Sequence, residues 1–120
     1  MRKLILLVAV LASPVLAQDA PAVPQLNMQQ QASLKCGTAF ATVARGQTDG
    51  DAAMLEYPDM TVRGLEFFVR TAATLMDETG ADREAMRALA MTEVTALASD
   101  PASLSEIMPA CLLMLDASGL

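Results

Sequence analysis

The sequence predicts an all-α protein, a small four-helix bundle-like domain with one disulfide joining the first and last helices. Three observations lead there. Apolar residues recur at three- and four-residue spacing in successive segments. No run alternates apolar and polar residues as a half-buried strand does. The only two cysteines, Cys36 and Cys111, fall on apolar stripes of the first and last segments. Of the 120 residues, 53% are hydrophobic and 18% charged, a balance that suits one small domain and not a disordered chain.

The chain opens with an address. Arg2 and Lys3 precede an apolar run over 4–12 and the stretch Ser13-Pro14-Val15-Leu16-Ala17, the layout of a signal peptide over residues 1–17, with Ala20 as the alternative cleavage point. That run is too short to span a bilayer core of about 30 Å, and no later stretch is long enough, so no membrane anchor is expected after cleavage. The short basic start implies export to the periplasm, with secretion to the medium as the alternative. Pro21 and Pro24 among small residues read as a flexible tail over 18–27. Residues 28–120 then form a single helical domain.

Within that domain Met28, Ala32, Cys36, Ala39, Phe40 and Val43 define the face of a first helix over about 28–45, which Gly46 would stop. A polar loop over 46–51 and a short helical turn over 52–55 follow. From 61 to 79 the apolar positions Val62, Leu65, Phe68, Val69, Ala72, Leu75 and Met76 mark a second long helix, ended by Gly80. Its opposite face carries Arg63, Glu66, Arg70, Thr74 and Asp77. Asp82 is the expected N-cap of a third, reaching about Ser99, with Met86, Ala90, Val94 and Leu97 as its stripe. Asp100-Pro101 restarts the chain, and Leu104, Met108, Cys111 and Leu115 share one face of the last segment, which Pro109 is expected to kink or split.

Two cysteines in an exported chain favour a disulfide over a metal or redox site. They stand 75 residues apart, without the Cys-x-x-Cys spacing of exchange catalysts. The bridge would clamp the first helix against the last. For so long a loop the chain-entropy description gives about 4 to 5 kcal/mol, comparable to the whole stability of many small domains.

Composition removes several function classes. There is no histidine, hence no histidine-dependent triad or imidazole metal site. Eight basic and 14 acidic residues give a net charge of −6, and loss of Arg2 and Lys3 makes it −8, which repels nucleic acid. Asp49-Gly50-Asp51 starts like a calcium loop, but Ala53 and Met60 stand where ligating oxygens are needed, so a solvated turn is expected. The nine methionines are too dispersed for a copper site and read as core filler. No serine lies in a Gly-x-Ser-x-Gly setting, and no carboxylate pair stands out. No catalytic residue, metal or cofactor is expected.

One residue breaks the pattern. Phe67 points about 160° away from the apolar stripe of its helix and shares its side with Met60, Gly64 and Thr71. Either the first helix or the loop before Pro58 covers it, or these four residues form a partner surface for another protein or a second copy of the chain.

In general plan, with its signal peptide, about one hundred mature residues, helices and one long-range disulfide, the chain resembles small periplasmic acid-stress chaperones. The likeness covers size and layout and assigns no binding residues. It implies a client-binding role in which protonation of the carboxylates opens the bundle in acid. The expectation is thus a non-enzymatic protein-interaction or chaperone-like module. The alternative is a carrier of an apolar small molecule between the helices.

Overall fold

Asn27 starts the first helix through a reciprocal cap. Its side chain accepts from the Gln30 N–H at 2.8 Å, and its own N–H donates to Gln30 Oε1 at 3.0 Å. The structure, a computed structural model, describes residues 23–120, and the signal peptide over 1–17 lies outside the described residues. Five helices follow in order: α1 (Met28–Thr48), α2 (Ala52–Leu55), α3 (Arg63–Thr79), α4 (Arg83–Ser99) and α5 (Pro101–Ala117), with no strand among the described residues.

The expected caps of the later helices are all in place. Gly80 ends α3 in the left-handed conformation, φ 73°, with its N–H donating to Met76 O. The Asp82 carboxylate accepts from the Ala85 N–H at 2.8 Å to start α4, and that of Asp100 accepts from the Ala102 N–H at 3.1 Å, with Pro101 in the first turn of α5. Pro109 stands inside α5 without splitting it. The expected break is absent, since a single lost hydrogen bond on an exposed face leaves the rest of the ladder intact.

α1 is the hub. Cys36, Gly37, Thr38, Ala39 and Phe40 are consecutive and all buried, so the helix is covered around its whole circumference, and it meets each of the other four helices. The single buried polar side chain here, Thr38, donates its hydroxyl to Lys35 O. Gly46 does not stop α1, which runs on to Thr48. It is needed for packing instead, because a Cβ there would run into the Met54 side chain of α2.

The loop between α2 and α3 is tied down by one side chain. The Gln47 amide nitrogen donates to Met54 O, Tyr57 O and Pro58 O at 3.0, 3.2 and 2.9 Å, and its oxygen accepts from the Met60 N–H at 2.9 Å. Of the expected tail over 18–27, only residues 23–27 are among the described residues. Leu26 packs on the cluster of Leu34, Leu75 and Met86, and its carbonyl accepts from Gln31.

The Cys36–Cys111 disulfide joins α1 to α5 with the two Cα atoms 5.1 Å apart. Both sulfurs are buried in the main core with Phe40, Val43, Met60, Phe67, Met108 and Leu115.

Candidate binding groove

The inward side of α3 is wider than its apolar stripe suggests: Leu75 is buried and Phe68, Ala72 and Met76 pack with it on the second core cluster, as the stripe predicts, while the Phe67 side is buried too. Met60, Gly64, Phe67, Thr71 and Leu75 form the row turned to α1, whereas Val62, Leu65 and Val69 are 73%, 41% and 64% exposed. Phe67 packs edge-on against Phe40, ring centroids 5.2 Å apart at 82°. A Cβ on Gly64 would sit 3.0 Å from Phe40 Cβ, and one on Gly37 would sit 3.4 Å from Phe68 Cα. The two glycines let α1 and α3 approach more closely than larger residues would.

This corrects the expectation of a partner surface at Phe67, Met60, Gly64 and Thr71. The first three are buried, because α1 supplies the cover, and only Thr71 reaches partly to solvent.

Residues of α1, α3, α5 and the turn after α5 line an open groove of about 450 Å³. Its apolar lining is built from Phe67 and Leu75 of α3 and, across the groove, Met114, Ala117 and Leu120. Amides and hydroxyls form the rest: Gln29, Gln30 and Ser33 from α1, Thr71 and Thr74 from α3, and Ser118 after α5. Two charged groups belong to the lining. Arg70 donates its Nε to Glu66 Oε1 at 3.1 Å, and Glu78 accepts from Gln30 Nε2 on its Oε2 at 2.8 Å.

A second tie holds the α5 end in place. Arg63 donates its Nε to Leu120 O at 2.9 Å and pairs with Asp116 at 3.3 Å, fixing the residues after α5 against the start of α3. An apolar floor with hydrogen-bonding walls is suited to holding a molecule that has both kinds of surface, and it offers no nucleophile paired with a base.

Of the residues singled out from sequence, Cys36 and Cys111 are brought together and Phe67 and Thr71 contribute to the groove from the α3 side. The contributions of Gln29, Gln30, Met114 and Ser118 were missed. They come from segments about 85 residues apart in the chain, and no local spacing links them. The chain matches no known protein family, no characterised protein and no solved structure.

Proposed function

We propose that this is a non-enzymatic, exported interaction module that holds apolar polypeptide segments in the groove between α1, α3 and α5. The observation that carries the reading is the groove itself, with an apolar lining bordered by amides and hydroxyls that can satisfy a polypeptide backbone. Its openness to solvent along its length suits a chain segment better than an enclosed cavity would.

The periplasm is the proposed compartment. The signal-like start and the buried disulfide support it, and no helix among the described residues is long and apolar enough to cross a membrane. Fractionation followed by intact-mass measurement tests this: the processed chain should begin at Gln18 and carry no free thiol.

The binding reading is tested with a reduced, carboxymethylated polypeptide followed by fluorescence anisotropy. Wild-type protein should bind it, and Ala117→Trp, which fills the groove from an exposed position on α5, should not, with the melting temperature little changed. Equal binding by the two proteins would sink the assignment of the groove. The second reading, a carrier of an apolar small molecule, is favoured by the groove's volume, which falls among those of small-ligand sites. Denaturing extraction of freshly isolated protein and mass spectrometry would then release one stoichiometric compound.

A further inference from the structure

The long helices are not held equally. Buried residues run nearly the length of α3 and α5, from Gly64 to Leu75 in the first and from Leu104 to Leu115 in the second. In α4 burial stops within the first turn, at Ala85 and Met86. From residue 87 to residue 99 nothing is buried: Leu89, Ala90, Glu93 and Leu97 are half-buried, and Met91 and Val94 are exposed. Polar ties follow the same division. Gln30 and Glu78 link α1 to α3, Arg63 links α3 to the residues after α5, and the disulfide links α1 to α5. Among the described residues α4 has no ion pair, and the side-chain hydrogen bonds of Thr92 to Ala88 O and of Ser99 to Ala96 O stay within it.

Local sequence does not make up the deficit. Thr92, Val94 and Thr95 are β-branched and lose rotamer freedom in a helix. Thr92 also bonds back to the carbonyl four residues earlier, a contact that slightly weakens a helix. No basic residue stands in the last turn, and the C-cap is Asp100, whose carboxylate opposes the helix dipole at that end.

We propose that residues 89–99 form a strap that opens as a unit while the rest of the fold stays closed. Once undocked, the segment is shorter than the roughly 12 to 15 residues that an isolated helix needs to persist, so it melts as it leaves. Opening takes Leu89 off the cluster of Leu34, Leu75 and Met86, and Leu97 off the main core, which exposes apolar surface that the closed molecule covers. Both ends stay fixed. The Asp82 cap with buried Ala85 and Met86 holds the first turn of α4, and buried Leu104 with the Cys36–Cys111 bond holds α5. The strap therefore bows outward and returns, and does not unravel from a free end.

Amide hydrogen exchange of the intact, disulfide-bonded protein, followed by NMR, tests it. Protection from Met91 to Ala98 should be level along the segment and at least about tenfold below that from Leu34 to Ala44 in α1. Gln47→Ala removes hydrogen bonds to the 54–60 loop and none to α4. It should speed exchange in α1 by about fivefold or more through the global equilibrium and leave exchange in the strap unchanged.

Strap protection closer to that of α1 than tenfold, or falling as far as that of α1 in Gln47→Ala, would mean that α4 leaves only when the whole domain unfolds, and overturns the proposal. A steady decline in protection toward Ser99 would mean fraying from one end and overturns it as well. The wild-type exchange pattern decides between these outcomes even if the variant does not fold.

Discussion

Phe67 and Leu65 are two residues apart on α3 and have exchanged the roles that their helix pattern assigns them. Phe67→Ala removes a ring at 7% exposure from its edge contact with Phe40 and should cost about 3 to 5 kcal/mol in chemical denaturation. Leu65→Ser should cost clearly less, about 1 kcal/mol, because the side chain it replaces is already 41% exposed. This part of the pattern was not legible by counting apolar positions, since Leu65 and Val69 continue the stripe of Ala72, Leu75 and Met76 that does pack on the second core cluster. The buried row instead contains Gly64 and Thr71, which score poorly as apolar but permit close helix contact.

Two further residues have roles that only tertiary structure reveals. Gln47 closes the 54–60 loop with three carbonyls sharing the two N–H donors of its amide and with its oxygen accepting from Met60. Gln47→Ala should destabilise by about 1 to 3 kcal/mol, with faster amide exchange at Met60 as the local sign. Asp59 accepts from both the hydroxyl and the N–H of Thr61, and these bonds hold its carboxyl below the ordinary value of 3.8. A lowered native pKa means that this stabilisation is present above the unfolded value and is lost as pH falls through the native one. Wild type should therefore lose more stability than Asp59→Asn between about pH 5 and pH 2, measured by parallel denaturation curves.

Helix boundaries followed closely from the sequence where a cap announced them. Gly80, Asp82 and Asp100 stop and start α3, α4 and α5 through local chemistry that survives in any fold. Boundaries set by packing were harder. Gly46 has the form of a stop signal and instead leaves room for Met54, while α3 begins at Arg63 because the preceding residues are held by Gln47 and Asp59. A hub helix such as α1 also blurs its own pattern, because burial on every side leaves no clean polar face. The close contact between α1 and α3 makes a test at this scale. Gly64→Ala improves helix propensity by up to about 1 kcal/mol, yet its new methyl would lie 2.8 Å from Met60 Cβ and 3.0 Å from Phe40 Cβ. Net destabilisation of about 1 to 3 kcal/mol is expected, read as a lower denaturant midpoint.

At the scale of the whole molecule the cross-link between α1 and α5 was legible from two cysteines on two apolar stripes. The groove was not, because it exists only where residues from three helices come together. Cys36→Ser with Cys111→Ser should lower stability by about 4 kcal/mol, the chain-entropy value for a loop of this length. For a domain of this size that corresponds to a fall in melting temperature on the order of 20 °C, followed by circular dichroism.

Everything from residue 37 to residue 110 lies inside the covalent ring that this bond closes, including α2, α3 and α4. A protease nicking the α2–α3 connection or the Ser99–Asp100 joint would therefore release nothing. The severed halves would migrate as one species until a reductant parts them, so a chain cut at either one of these joints would keep both its pieces in company.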